Sequence, residues 1–138
     1  MGFEMLTVGC REKSAGPGEW SLIFFDGAFS HAVLKKPAPA DFRIQEHFGG
    51  SWQSASPSPE LIQQAECVLA AATEVTGQGK PLYARVDGLE SAANGRFLLM
   101  ELELVEPSLF FAADPDNASA RFANALSDRL RKAVPLHV

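Results

Sequence analysis

An Asp-Gly pair between two apolar runs is the feature that most constrains the fold of this chain. Asp26 and Gly27 separate residues 20–25 (WSLIFF) from residues 28–34 (AFSHAVL). Because glycine readily adopts the positive φ of a type I′ turn, this pattern predicts a two-residue β-hairpin. Pairing Phe25 with Ala28 then predicts one buried face. Its members are Trp20, Leu22, Phe24, Phe29, His31 and Val33. We therefore expect His31 to be a partly buried strand residue rather than a ligand.

The rest of the chain alternates between strand and helix patterns. Ser58 followed by Pro59 predicts a helix start, and apolar residues at helical spacing continue to about Gly77. A last helix is predicted over 116–133. The other predicted strands cover 42–45, 81–90 and 96–105, with glycine-containing and turn-rich connections at 47–51 and 54–58. The order ββ(β)αββα predicts an α+β domain with a mostly antiparallel sheet and helices on one face.

Composition narrows the class of function. The 138 residues are 46% hydrophobic, which is typical of one globular domain. A net charge of −5 argues against nucleic acid as a partner. No apolar run is long enough to cross a membrane, and the first residues lack the apolar segment of a secretory signal. Two cysteines form no disulfide framework, so we expect a cytoplasmic protein.

Three carboxylates and an arginine are predicted to share one face of the second hairpin. Side chains alternate along a strand, so Arg85 points with Asp87, and Glu101 points with Glu103. A three-residue loop at 93–95 pairs Asp87 with Glu101. The same register pairs Arg85 with Glu103. A two-residue turn would mix polar and apolar faces, which is penalised when one face is buried.

Facing carboxylates repel each other unless a cation compensates. Arg85 with solvent, or a divalent cation, can supply that compensation. Oxygen-only ligands suit Mg²⁺ or Mn²⁺ rather than zinc, and we expect Asp87, Glu101 and Glu103 to lie within reach of a single ion. The alternative is a plain solvated sheet face, which is common in antiparallel sheets. Similarly, Lys35 is either a phosphate contact or a solvated strand end.

Four short stretches in a fixed order resemble a known family. They are Glu19-Trp-Ser, 41–50 (DFRIQEHFGG), 83–87 (YARVD) and 100–108 (MELELVEPS), with a predicted helix between the second and third. Together they resemble the C-terminal half of an ATP-grasp enzyme, of the glutathione synthetase and ribosomal-protein glutamate ligase kind. The resemblance spans roughly residues 19–110.

The resemblance implies an ATP-dependent ligase that joins a carboxylate to an amine through an acyl phosphate, with ATP and Mg²⁺ (or Mn²⁺) as cofactors. Its partners in the complete enzyme would be ATP and small carboxylate and amine substrates. Asp87 and Glu101 match the metal ligands, and Glu103 stands where many members have asparagine. Arg43 and Arg85 are the implied catalytic residues.

The resemblance also implies a set of nucleotide contacts. Glu19 matches an acidic position at the nucleotide. Arg43 matches an arginine that contacts ATP, and Gln45 replaces the asparagine two residues later while keeping the amide. The glycines after them resemble a loop beside the substrate, and a plain surface turn is the alternative.

Part of the family's architecture has no match. We expect residues 1–18 to be a leading segment with a hinge remnant, and residues 19–134 to be a domain like the C-terminal lobe. We therefore expect the chain to be inactive alone and to be a homodimer or to be completed by a missing N-terminal chain. That association would cover apolar side chains such as Trp20, Phe24, Phe97 and Leu99. A non-catalytic binding or dimerisation module that keeps the fold is the alternative, and whether the chain is an enzyme stays open.

Overall fold

A computed structural model of the chain describes residues 18–36 and 51–133. These residues form a five-stranded antiparallel sheet, in the order β3-β2-β1-β4-β5, and two α-helices. The elements are β1 Glu19–Phe25, β2 Ala28–Lys36, β3 Ser51–Ser54, α1 Pro59–Thr76, β4 Tyr83–Glu90, β5 Phe97–Glu103 and α2 Ala118–Ala133. A 3₁₀ turn, Phe111–Ala113, precedes α2. The predicted α+β class and antiparallel sheet are confirmed.

The third strand differs from the prediction. The predicted strand 42–45 lies outside the described residues. The described third strand is β3, whose end residues Ser51 and Ser54 were predicted to belong to connections. Its backbone pairs with the end of β2. These four residues are held at the sheet edge by backbone pairing. Their side chains show no alternation of apolar and polar residues from which a strand could be predicted.

The β1–β2 hairpin keeps the predicted turn but changes register beyond it. Phe25 pairs with Ala28, and both turn residues have positive φ, as a type I′ turn requires. A β-bulge at Ser30 then pairs Ile23 with His31. The extra residue moves His31 to the face opposite the one predicted, since side chains alternate along the strand. The predicted position of His31 is therefore wrong, although it is buried.

The main core lies between one face of the sheet and α1. Leu61, Ala65 and Leu69 of the helix pack against the sheet. The sheet contributes Trp20, Leu22, Phe24, Ala32, Leu34, Ala84 and Val86. Trp20 and Phe24 are thus buried within this chain, and the expectation that they are exposed is wrong. Leu99 on edge strand β5 is 49% exposed, as expected.

The second face of the sheet is divided between apolar and polar ends. At the apolar end, the Phe25 ring stacks on Phe111 at 6.0 Å and lies 5.2 Å from the ring of Phe122 in α2. Phe25 and its neighbour Phe24 point to opposite faces, so α1 and α2 pack on opposite faces rather than together as predicted. None of the helices within 18–36 and 51–133 is both long and apolar enough to span a bilayer.

The start of α1 is stabilised by a capping hydrogen bond from the helix amides to a side chain nearby in sequence. The Ser58 side chain accepts a hydrogen bond from the Leu61 amide at 3.2 Å, and Gly77 ends the helix in the left-handed conformation. Ser58→Ala should lower the free energy of unfolding by about 1 kcal/mol, because one amide of the first turn loses its partner. Urea denaturation with Ser56→Ala as the exposed control measures this, and equal effects of the two changes would contradict the cap.

Candidate functional site

Strands β4 and β5 bring the predicted charged residues together. Arg85 pairs with Glu103, and Asp87 pairs with Glu101, as predicted. The loop between the strands covers 91–96 and is longer than the three residues predicted. A β-bulge next to Asp87 offsets the longer loop. The pairing at the site is therefore confirmed, although the chain reaches it by a different turn.

Asp87 is the centre of a buried hydrogen-bond network. Its side chain is 3% exposed and accepts from Ser21 Oγ at 2.6 Å, from Arg85 Nε at 3.1 Å and from Lys35 Nζ at 3.3 Å. Lys35 Nζ also donates to Glu19 Oε1 at 2.8 Å. A buried carboxylate requires such partners, because removing its charge from water is costly. The network joins β1, β2 and β4 on the second face of the sheet.

Arg85 connects the network to the carboxylates of β5. Its Nη2 lies 3.0 Å from Asp87 Oδ2 and 3.9 Å from Glu101 Oε2, and it forms an ion pair with Glu103. Arg85 thus supplies the compensation that the facing carboxylates need. The Glu101 side chain is 59% exposed and that of Glu103 is 31% exposed. We call Glu19, Ser21, Lys35, Arg85, Asp87, Glu101 and Glu103 the polar cluster.

The polar cluster has the donor chemistry of a magnesium site but not its arrangement. Four carboxylates and two cations leave it with a net charge of −2, and its acceptors are oxygens, which Mg²⁺ and Mn²⁺ prefer. Within the described residues, no three His, Cys, Asp or Glu side chains are grouped to hold one metal ion. In this conformation Arg85 lies between Asp87, Glu101 and Glu103, and the binding of a single ion by these three carboxylates stays a prediction.

Other predicted site residues have different outcomes. Arg43 and Gln45 lie outside the described residues. Glu19 lies on the same face as Asp87 and is joined to it through Lys35. The predicted register has no bulge and pairs Glu19 with Leu34 rather than with Lys35. The contacts of Lys35 with Glu19 and Asp87 were therefore not predicted. Ser21 was also missed, although one small polar residue within an apolar run was its signal.

His31 lies beside the polar cluster on the same face. Its Nε2 is 2.8 Å from the carbonyl oxygen of Leu109, and its Nδ1 is 2.8 Å from Ser30 Oγ. Burial lowers the pKa of His31 from its ordinary value of 6.5, and nearby Arg121 lowers it further. The Leu109 carbonyl and Asp114 act in the opposite direction without reversing the shift.

The fold defines a class of protein. A five-stranded antiparallel sheet with two α-helices is shared with ligases whose structures were solved with ATP or ADP. The chain has the fold of the C-terminal portion of an ATP-grasp ligase.

Individual relatives agree with this class. The cycloserine biosynthesis protein DcsG of Streptomyces lavendulae is 36% identical over 116 residues, which are 83% of this chain and 38% of DcsG. The crystal structure of D-cycloserine synthetase DcsG matches with a TM-score of 0.69 and 31% identity, over 82% of this chain and 38% of that one. The chain therefore spans less than half the length of this relative.

More distant structures share the fold alone. A D-alanine–D-alanine ligase of Bacillus anthracis, solved with ATP, has a TM-score of 0.53 and 22% identity over 83% of this chain and 39% of its own. The ATP-grasp ligase PsnB, solved with Mg and ADP, has a TM-score of 0.50 and 16% identity over 79% of this chain and 32% of its own. No protein-family model matches the chain.

The buried network predicts that removing the Asp87 carboxylate lowers the free energy of unfolding far more than removing an exposed carboxylate does. Asp87→Ala should cost about 3–5 kcal/mol, because it leaves Lys35 and Arg85 without their buried partner. Asp128→Ala should cost less than about 1 kcal/mol, since the Asp128–Arg131 pair at 2.9 Å is solvent-exposed. Urea denaturation of both variants tests this, and a cost at Asp87 no greater than at Asp128 would contradict the network.

Lowering of the His31 pKa predicts a pH dependence of stability. As the pH falls, His31 takes up its proton in the unfolded chain before it does so in the folded chain. The stabilisation that comes from neutral His31 is therefore fully present above about pH 6.5 and is lost as the pH falls from there through the folded-state pKa. The pKa of Asp114 is lowered from 3.8 by hydrogen bonds from Asn117 and Arg121, so its protonation falls outside this window.

Urea midpoints between pH 8 and pH 5 measure the effect of His31. The wild-type chain should lose more stability over this range than His31→Gln, which does not titrate. The same loss in both proteins would contradict the assignment of the pH dependence to His31.

Proposed function

We propose that this chain carries the metal- and phosphate-binding part of an ATP-dependent ligase, which joins a small carboxylate to an amine through an acyl phosphate. The polar cluster supports the proposal most directly, since it sets oxygen ligands and a guanidinium on an ATP-grasp fold. The similarity to DcsG, over 83% of this chain, is the second support. Because the chain spans 38% of DcsG, the full reaction belongs to a larger assembly in this proposal.

Asp87, Glu101 and Glu103 are the proposed holders of Mg²⁺. When bound, the ion would neutralise charge on phosphate oxygens. Arg85 occupies the centre of the three carboxylates, so metal binding requires its guanidinium to withdraw from Asp87. A guanidinium released in this way can pair with the oxygens of a transferring phosphoryl or acyl group, where it stabilises developing charge. Lys35, whose side chain is 15% exposed, stays as the counter-ion of Asp87 and keeps that side chain in place.

Three further residues are proposed nucleotide contacts. Arg43 is proposed to pair with phosphate, and Gln45 to hydrogen-bond beside it through its amide. Glu19 is proposed to lie at the nucleotide, with Lys35 fixing its carboxylate at 2.8 Å. These side chains belong to the domain that we assign to residues 19–134.

A second candidate function is a non-catalytic binding or dimerisation module. The observation that favours it is the edge strand β5, where Leu98, Leu99 and Met100 are 41%, 49% and 57% exposed. An unpaired strand edge with apolar side chains is a ready surface for association. In this reading Arg85 is the permanent counter-ion of the carboxylates, and no metal displaces it.

Binding of Mn²⁺ to the 138-residue chain distinguishes the two functions. Electron paramagnetic resonance of free Mn²⁺ should report one site with a dissociation constant of about 1 mM or weaker, since Mg²⁺-type sites normally rely on substrate phosphates for further ligands. Asp87→Asn and Glu101→Gln should each weaken binding at least about 10-fold, whereas Asp128→Asn, a carboxylate far from the polar cluster, should leave it unchanged.

Two results would contradict the ligase proposal. One is Mn²⁺ binding that Asp87→Asn and Glu101→Gln leave intact. The other is no binding at all, together with a concentration-dependent dimer in sedimentation equilibrium that Leu99→Glu abolishes. The second result would favour the dimerisation module.

A further inference from the structure

The segment that follows β5 crosses the second face of the sheet. Residues 104–110 leave edge strand β5, stay on the second face and reach the other edge of the sheet, at β3, before the 3₁₀ turn begins. We call this segment the strap. Its three anchors are the Ser108 carbonyl on Arg85 of β4 at 3.5 Å, the Leu109 carbonyl on His31 of β2 at 2.8 Å, and the Phe110 ring on Trp52 of β3 at 5.4 Å.

The register of the sheet places the strap next to the polar cluster. His31, Ile23, Arg85 and Glu103 pair in sequence across β2, β1, β4 and β5, and so form one row. The strap is anchored at two members of this row. Asp87 and Glu101 lie in a row beside it. The strap thus borders the cluster at the end nearest α2.

The backbone of the strap is held in an unfavourable conformation. Glu106 and Phe110 have φ of 52° and 46°, in the left-handed region that non-glycine residues seldom adopt. Such residues are unfavourable and persist where their surroundings hold them. Of the two hydrogen bonds that anchor the strap to the sheet, that from His31 is the shorter, at 2.8 Å against 3.5 Å from Arg85.

The β-bulge at Ser30 gives His31 access to the strap. Without the bulge, His31 would point into the main core, on the face covered by α1. With the bulge, the imidazole faces the strap, and Ser30 Oγ donates to Nδ1 at 2.8 Å. Because the Leu109 carbonyl can only accept, the neutral ring carries its hydrogen on Nε2, which leaves Nδ1 to accept from Ser30 Oγ.

We propose that His31 is a positioning residue, which holds the strap against the polar cluster and through it keeps Arg85 in place. The inference rests on the proposed function only for its effect on ligand binding. Its structural half, a strap fixed by His31, stands on the contacts of the chain alone.

Paired variants of His31 test the structural half by NMR of the full chain. His31→Leu removes the donor, whereas His31→Gln keeps an N–H that can reach the Leu109 carbonyl. Backbone order parameters of the strap should be near 0.85 in the wild type, fall below about 0.6 in His31→Leu, and return in His31→Gln. Amides of α1 serve as the internal control for folding.

Mn²⁺ binding tests the positioning half with the metal ion alone as the probe. His31→Leu should tighten Mn²⁺ binding about 5-fold, roughly the effect of one lost hydrogen bond, because a loosened strap frees Arg85 to withdraw from Asp87, and His31→Gln should return the affinity to its wild-type value. If α1 loses its order in His31→Leu, Ser30→Ala takes its place. Its effect should be smaller and in the same direction, because it removes the hydroxyl that contacts Nδ1 and Arg121 but leaves the His31–Leu109 hydrogen bond.

The outcomes separate the two proposals. A strap that stays ordered in a folded His31→Leu chain overturns the inference. A strap that loosens while Mn²⁺ affinity stays at its wild-type value overturns the positioning role. No Mn²⁺ binding by the wild-type chain overturns the proposed function, and loss of strap order in His31→Leu would then still support the fixed strap.

Discussion

Burial of the Asp87 carboxylate is the constraint on which the arrangement of the second sheet face depends. A charge that is 3% exposed is tolerated only with close and well-directed partners. Those partners come from three strands, as a hydroxyl from Ser21, an ammonium from Lys35 and a guanidinium from Arg85. The register of each strand is therefore tied to the same carboxylate, and Glu101 is left exposed beside it.

Two β-bulges adjust the sheet so that this network can form. The bulge at Ser30 turns His31 and Lys35 to the polar face, where Lys35 reaches Asp87. The bulge in the β4–β5 pair follows Asp87 directly and keeps it opposite Glu101. Bulges occur preferentially beside functional sites, where they redirect side chains. The apolar half of the same face, around Phe25, is covered by α2.

Features fixed by local chemistry were predictable from the sequence, whereas those fixed by distant contacts were not. The Asp26-Gly27 turn and the Ser58 cap depend on neighbouring residues alone, and both are confirmed. The pairing of Asp87 with Glu101 followed from keeping polar and apolar faces apart. The bulge at Ser30 had no local signal, because it depends on a carboxylate 57 positions along the chain and on the strap. Consequently, Lys35 was missed as a partner of Asp87.

Localisation of Mn²⁺ by NMR tests the central claim, that the polar cluster is a cation site, most directly. Paramagnetic broadening of amide signals falls steeply with distance from the ion, so it maps the site on the 138-residue chain. The account predicts broadening centred on residues 85–88 and 99–103, which Glu101→Gln removes. Broadening centred elsewhere, or broadening that Glu101→Gln leaves unchanged, would contradict it.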